Sequence, residues 1–211
     1  APTYVSVANT TAGTTITLTY NENLSTTTAP ASAFTVTNGA DTIPVSSVVT
    51  TSGTRTVVLT LASPVGQGKT VTVAYAAPST DATTANSAIQ DVAGNDALSF
   101  SAITLGTNSS TVDQTGPVYS TGSVASNGLS ITVTFNENIV VTTGAGVPTL
   151  LLETGATDQA ARYLSATGAV ATFRYTAVAG DVTADLDFAT TASLVLNGGS
   201  IKDVAGNVAN L

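Results

Sequence analysis

Residues 15–24 read Thr-Ile-Thr-Leu-Thr-Tyr-Asn-Glu-Asn-Leu, and residues 130–139 read Ser-Ile-Thr-Val-Thr-Phe-Asn-Glu-Asn-Ile. In both stretches, polar and apolar residues alternate until the sequence reaches Asn-Glu-Asn. An alternation with a period of two puts one set of side chains on a buried face and the other in water, which predicts a β-strand. Each of these strands is therefore expected to end at a short acidic segment.

The same alternation recurs along the chain, at 56–61, 70–75, 97–105, 148–153, 171–175 and 192–196. β-Branched residues dominate these runs, as strands prefer. Glycine-containing turn sequences separate them, and no long stretch has helical period; single helical turns are expected only within Thr28–Ala33 and Thr80–Ser87. Short strands with frequent turns, in units of about 100 residues, predict an all-β fold of antiparallel β-sandwiches with immunoglobulin-like topology.

A second motif shows that the chain is duplicated. Asp91-Val-Ala-Gly-Asn95 returns as Asp203-Val-Ala-Gly-Asn207, an offset of 112 positions, while the two Asn-Glu-Asn segments are 115 positions apart. Two separate motifs at nearly one spacing indicate tandem repeats. The polar stretch 107–116, closed by Pro117, is typical of a connector. We therefore predict two sandwich domains, 1–111 and 112–211.

The two repeats differ after the Asp-Val-Ala-Gly-Asn motif. In the first, the alternating run 97–105 follows and is expected to form the last strand. In the second, only Val208 to Leu211 follow, so the second sandwich is expected to lack its final strand in this chain. Either the segment belongs to a longer array of repeats, or a neighbouring molecule acts as strand donor, because an unpaired sheet edge is a template for strand addition.

Composition excludes several functions. Thirteen acidic residues face five scattered basic ones, for a net charge of −8. Nucleic-acid binding requires clustered positive charge, and membrane insertion by a helix requires a run of about 20 apolar residues, which is absent. Without His or Cys, the chain cannot form a Ser-His-Asp triad or a usual zinc site. These observations favour a non-enzymatic protein.

The repeated acidic residues indicate a candidate calcium site. In an immunoglobulin-like sandwich, the end of the second strand and the loop before the last strand lie at the same pole of the domain, which in the second domain is also the interdomain joint. Carboxylate and carbonyl oxygens are the ligands that calcium prefers. The expected interdomain set is Asp113, Glu137, Asp203 and Asn207, and a weaker set in the first domain is Glu22, Asp91, Asn95 and Asp96. The alternative is that these residues only form turns, since Asp accepts backbone hydrogen bonds and Gly or Asn adopts positive φ.

The strand ending in Asn-Glu-Asn, the Asp-Val-Ala-Gly-Asn loop and the linker Val112-Asp-Gln-Thr-Gly-Pro117 together resemble the tandem bacterial immunoglobulin-like repeats of large surface proteins. These include SwmB-type repeats and related modules of adhesins and S-layer proteins. The resemblance covers essentially the whole chain. It implies a structural module of an extracellular, surface-attached or secreted bacterial protein, often stabilised by calcium.

Three functions therefore remain open at this stage. The first is a spacer or adhesin stalk whose joint is stiffened by calcium and whose partners are neighbouring repeats. The second is a self-assembling subunit of a filament or S-layer, in which an identical subunit donates the strand that completes the second domain. The third is a carbohydrate-binding or carbohydrate-active module using Asp185 and Asp187, which is disfavoured because the chain has no Trp to form a sugar platform.

Overall fold

A computed structural model describes residues 1–78, 87–124, 130–183 and 186–211. The chain divides into two compact units, Ala1–Asp113 (unit 1) and Gln114–Leu211 (unit 2). This division falls two residues from the boundary expected from the repeat. Among the described residues, no helix has the length and apolar character needed to cross a bilayer.

Unit 1 contains eight strands among its described residues, and every pairing between them is antiparallel. Their bounds are β1 Tyr4–Asn9, β2 Thr15–Tyr20, β3 Phe34–Asn38, β4 Asp41–Ile43, β5 Val45–Thr50, β6 Thr56–Leu61, β7 Val71–Tyr75 and β8 Phe100–Thr104. One sheet has the order β1-β2-β6-β5 and the other β4-β3-β7-β8. A short 3-10 helix, Ala31–Ala33, precedes β3.

The core of unit 1 lies between its two sheets. Strands β2 and β6 both alternate between half-buried and buried positions, so Ile16, Leu18 and Leu59 are fully buried. They join one apolar cluster with Val36 and Val73 from the other sheet. Because both sheets contribute inward-facing side chains to a single core, unit 1 is a β-sandwich.

The stretch after β8 packs back onto unit 1. Asn108 makes three of these contacts: its Nδ2 donates to the carbonyls of Gly66 at 2.7 Å and Lys69 at 3.0 Å, and its Oδ1 accepts from Asn9 Nδ2 at 2.7 Å. Within the stretch, the same Oδ1 accepts from the Ser110 N–H at 3.0 Å. The Ser110 hydroxyl donates to the Val65 carbonyl. The first half of the expected connector therefore belongs to the fold of unit 1.

Unit 2 is also antiparallel in all its strand pairs. Its described strands are β9 Tyr119–Val124, β10 Ser130–Phe135, β11 Ile139–Thr142, β12 Thr149–Glu153, β13 Gln159–Thr167, β14 Val170–Arg174, β15 Asp187–Phe188, β16 Leu194–Val195 and β17 Ser200–Asp203. The larger sheet runs β15-β12-β13-β14-β10-β9, with β16 also paired to β12, and β11 pairs with β17. Its core gathers Ile131, Leu152 and Phe173 from the large sheet and Ile139 and Ile201 from the small one.

The predicted all-β antiparallel class is confirmed. The runs 15–20, 56–61 and 130–135 coincide with β2, β6 and β10, whereas 192–196 is ordered as a strand only at Leu194–Val195. The helical turn expected within Thr28–Ala33 is the 3-10 turn. Most of the turn expected within Thr80–Ser87 lies outside the described residues.

Candidate metal centre

Each Asn-Glu-Asn segment fixes the entry of the chain into its unit. In unit 1, Asn21 Oδ1 accepts a hydrogen bond from the Thr3 N–H at 2.7 Å, and the Asn21 N–H donates to the Thr3 carbonyl at 3.0 Å. In unit 2, Asn136 and Val118 form the same two bonds at the same distances. The glutamate that follows the asparagine is thereby held close to the entering chain in both units.

Each Asp-Val-Ala-Gly-Asn loop is organised by its own aspartate. Asp91 Oδ1 accepts from the N–H groups of Ala93 and Asn95 at 2.9 Å, and its Oδ2 accepts from Asn95 Nδ2 at 2.7 Å. Asp203 accepts from the N–H and Nδ2 of Asn207 at 2.9 and 2.7 Å. The turn chemistry expected for these loops is therefore present, and it engages the same carboxylates that were predicted as metal ligands.

These hydrogen bonds keep both aspartates ionised although they are buried. The side-chain and backbone bonds from Asn95 lower the pKa of Asp91. Burial by itself would raise the pKa of Asp203, but the bonds from Asn207 and from the N–H groups of Gly206 and Ala205 outweigh it, so this pKa is also lowered. With Asp91 only 4% and Asp203 only 2% exposed, each loop holds a negative charge almost out of contact with water.

In unit 1, a positive group lies beside two of the predicted ligands. The α-ammonium of Ala1 is 3.3 Å from Glu22 Oε1 and 3.6 Å from Asp91 Oδ2. Leu24, two residues after Glu22, pairs with Asp91 in an isolated bridge, which explains why the glutamate and the aspartate meet at one place. We call Glu22 and Asp91 the acidic pair of unit 1.

In unit 2, Glu137 and Asp203 form the corresponding acidic pair. A carboxylate oxygen of Glu137 lies within 4.8 Å of one of Asp203. The pairing of β11 with β17 brings them together, because Ile139 is the register partner of Asp203 and lies two residues after Glu137. Asp203 is buried, and Glu137 is half-buried. Two oxygens at this separation suit a shared cation, since calcium binds oxygens at 2.3–2.6 Å.

Asn95, Asn207 and Asp96 are engaged in local hydrogen bonds. Asn95 and Asn207 are bonded to the aspartates of their own loops. Asp96 accepts from Gln90 Nε2 at 2.8 Å, and Asp113 is the last residue of unit 1. Thr115, which sequence reasoning did not single out, offers its carbonyl to Asn207 Nδ2 at 3.4 Å. Of the proposed glycosidase pair, Asp187 lies on β15, and Asp185 lies outside the described residues.

The fold and the acidic loops define the chain as a protein built from immunoglobulin-like modules. Residues 106–211 match the family model described as "Bacterial Ig-like domain", and residues 1–80 match the one described as "Putative flagellar system-associated repeat". The chain belongs to the family of bacterial Ig-like domains. No curated protein matches it significantly.

Some solved structures resemble the chain at low identity. The N-terminal part of the bacterial S-layer protein SbsC has 19% identity over 68% of this chain and 35% of that one, with a TM-score of 0.40. Domains 1–6 of the same surface layer protein have 18% identity, and the match covers 68% of this chain and 20% of that one, with a TM-score of 0.40. Pullulanase type I from Bacillus subtilis str. 168 has 11% identity, and the match covers 99% of this chain and 24% of that one, with a TM-score of 0.25. The chain spans about a third or less of each.

Proposed function

We propose that this chain is a non-catalytic structural module of a bacterial surface or secreted protein, serving as a spacer or stalk whose joint is stiffened by calcium. The observation that carries the proposal is the acidic pair of unit 2, in which buried Asp203 lies beside Glu137. Two carboxylates held this close repel each other in a poorly hydrated environment, and a divalent cation between them offsets that repulsion.

Unit 1 supports this role for the pair. The same two motifs there bring a glutamate and a buried aspartate to one place, because Leu24, two residues after Glu22, pairs with Asp91. The recurrence of this acidic pair in both repeats favours a shared role in binding a cation, since carboxylate oxygens are the ligands that calcium prefers. The set predicted in unit 1, Glu22, Asp91, Asn95 and Asp96, is proposed as the weaker site.

Asp113 is proposed as the third carboxylate on the basis of chain connectivity. The Thr115 carbonyl bonds to Asn207, and a Cβ on Gly116 would lie 1.9 Å from the Val208 carbonyl oxygen, so residues 115–116 run against the loop that contains Asp203. Consecutive Cα atoms are 3.8 Å apart, so the Cα of Asp113 lies within about 8 Å of that of Thr115. A cation that binds Asp113 together with Glu137 and Asp203 joins the two units directly, while Asn207 orients Asp203.

Calorimetric titration and thermal unfolding test the metal. Calcium at about 100 times its dissociation constant should raise the free energy of unfolding by about 2.7 kcal/mol, and chelation should reverse the effect. Glu137→Gln should abolish the shift, whereas Asp158→Asn, which removes an exposed acid of unit 2, should leave it intact. Equal shifts in both variants, or no calcium binding by the whole chain, would overturn the proposal.

Small-angle X-ray scattering tests the stiffened joint. Calcium should narrow the distribution of interatomic distances in the native chain and have no such effect in Asp113→Asn. If calcium binds and stabilises the protein but leaves the distribution unchanged, the metal is structural within unit 2 only and the role as a stiffened spacer is wrong.

A further inference from the structure

Two of the chain's five basic residues stand side by side on the large sheet of unit 2. Arg162 of β13 and Arg174 of β14 are register partners, and both are exposed. Directly opposed residues of an antiparallel pair have Cβ atoms about 5 Å apart on the same face of the sheet. Like charges in this position destabilise a sheet, so the fold keeps this pair at a cost in stability.

The two arginines form the middle of a row that crosses four strands. Thr149 of β12 is the register partner of Arg162, and Ser130 of β10 is the register partner of Arg174. The row faces away from the core, because Phe173, next to Arg174 on β14, is fully buried and successive side chains of a strand point to opposite faces. Each arginine therefore has a hydroxyl side chain as its outer neighbour.

A second row on the same face consists of hydroxyl side chains. Thr132 of β10 is the register partner of both Thr172 of β14 and Ser123 of β9, and Ser165 of β13 is the partner of Thr172. Thr172 lies two residues before Arg174, so the two rows are about 7 Å apart. This part of the face thus combines two positive charges with several hydroxyl groups that can donate hydrogen bonds.

The carboxylates of this sheet lie at its other end. Glu153 and Asp187 are register partners there, and Glu153 is four residues from Thr149 along β12, a distance of about 13 Å. Among the described residues, neither Arg162 nor Arg174 forms a salt bridge. Because exposed charges are screened over about 8 Å at physiological ionic strength, the acidic end does little to neutralise the arginines.

From this arrangement we infer that the outer face of the large sheet binds a tetrahedral oxyanion between Arg162 and Arg174, with the flanking hydroxyls as further donors. A guanidinium presents paired N–H donors that match a sulfate or phosphate group. The bound anion also offsets the repulsion between the two arginines. The oxyanion is either a free inorganic ion or an ester group of a polysaccharide. The site depends neither on calcium nor on the proposed role as a spacer.

Calorimetric titration of the whole chain tests the inference and distinguishes the two sources. The probes are sodium sulfate and dextran sulfate, with neutral dextran as the control and a chelator present to remove calcium. Saturable binding of a sulfated probe is expected, without binding of dextran. Equal affinity per sulfate for both probes assigns the site to the free ion, and binding of dextran sulfate alone assigns it to the ester. Failure of both sulfated probes to bind, or equal binding of neutral dextran, would overturn the inference.

Variants at the arginines locate the binding. Arg162→Gln and Arg174→Gln should each weaken binding of the sulfated probe at least about tenfold, because each removes charged hydrogen bonds. Arg55→Gln, which removes an exposed arginine of unit 1, should leave the affinity unchanged. Arg174→Lys keeps the charge but loses the paired donors, and it should bind more weakly than the native chain. Equal losses in Arg55→Gln and Arg174→Gln would mean that only net charge matters and would contradict the site.

Denaturant unfolding without sulfate separates lost binding from lost folding. Arg162→Gln and Arg174→Gln should unfold at midpoints no lower than that of the native chain, because each removes the repulsion between the opposed charges. Lower midpoints in both variants would show that the arginines stabilise the sheet by themselves, which would contradict a pair kept for an anion.

Discussion

The side-chain oxygen of Asn136 accepts a hydrogen bond from the Val118 N–H at 2.7 Å, and the backbone N–H of Asn136 donates to the Val118 carbonyl at 3.0 Å. This pair of bonds joins residues 18 positions apart and is repeated between Asn21 and Thr3. It explains why asparagine stands directly after the alternating strand in both repeats: its amide satisfies a backbone donor of the entering chain.

Asn136→Ala removes one of these bonds and should destabilise unit 2 by about 1 kcal/mol, the usual net value of a hydrogen bond. Denaturant unfolding followed by circular dichroism measures the change. Asn138→Ala is the matched control, since this residue is also exposed and lies two positions along, and its effect should stay within about 0.5 kcal/mol. Equal losses would show that the hydrogen bond to Val118 contributes nothing.

Asn108→Ala should lower the free energy of unfolding by much more, about 3 kcal/mol. All four hydrogen-bonding positions of this half-buried amide are used, so its partners in three segments of the chain lose their bonds together. Ser109→Ala, which alters an exposed neighbour, should change the free energy of unfolding by no more than about 0.5 kcal/mol. A loss below about 1 kcal/mol for Asn108→Ala would mean that water replaces the amide easily.

Alanine substitutions at two glycines of unit 1 distinguish the cost of backbone strain from the cost of a steric clash. Gly13 and Gly53 both have positive φ, +67° and +73° respectively. A Cβ added at Gly13 would lie 2.5 Å from the Val65 carbonyl oxygen. A Cβ added at Gly53 would have no neighbouring heavy atom within 4 Å among the described residues. Gly53→Ala should cost about 1–2 kcal/mol for the left-handed backbone alone. Gly13→Ala should cost a further 1–3 kcal/mol for overpacking. Similar melting temperatures for the two variants would refute the clash.

The pH dependence of unit 2 should show the pair formed by Tyr175 and Asp181. The Tyr175 hydroxyl donates to Asp181 Oδ2, and this bond, followed by burial, raises the pKa of Tyr175 to about 12. The folded protein therefore holds this proton more tightly than the unfolded chain, whose tyrosines titrate near pH 10. The stabilisation is complete below about pH 10 and is lost as the pH rises towards 12.

Tyrosinate absorbance checks this prediction. The difference titration between the native chain and Tyr175→Phe isolates one of the six tyrosines, and Asp181→Asn should shift its midpoint down towards 10. The cost of Tyr175→Phe in stability should be smaller at about pH 11 than at about pH 8. An unchanged midpoint in Asp181→Asn would assign the raised pKa to burial rather than to the carboxylate.

Strands with uninterrupted alternation were the predictable part of this fold. β2, β6 and β10 begin and end where the period of two begins and ends. The nine-residue β13 was not predicted, because its register shifts between Tyr163 and Ser165 and the burial pattern changes phase there. A bulge of this kind depends on the neighbouring strand and leaves no period for sequence reasoning to detect.

The candidate site was predictable only in outline. The recurrence of Glu and Asp in matching motifs predicted that they share one end of each domain, and Glu22 lies near Asp91 as Glu137 lies near Asp203. The hydrogen bonds that hold Asp91 in an ionised, buried state depend on the conformation of the loop. The hydrogen bond between Asn207 and the Thr115 carbonyl is a tertiary contact, which composition and periodicity do not encode. Calcium binding itself stays a prediction.

Asn108 also bears on how unit 1 would respond to tension. The backbone leaving this unit is tied to it between Asn108 and Val112, through the amide of Asn108, the Ser110 hydroxyl, the Thr111 N–H bonded to Thr11, and the Val112 carbonyl bonded to Gln67. A force applied to the chain beyond Asp113 therefore acts on unit 1 through these bonds. At this end these polar bonds must break before the chain can be peeled back to β8.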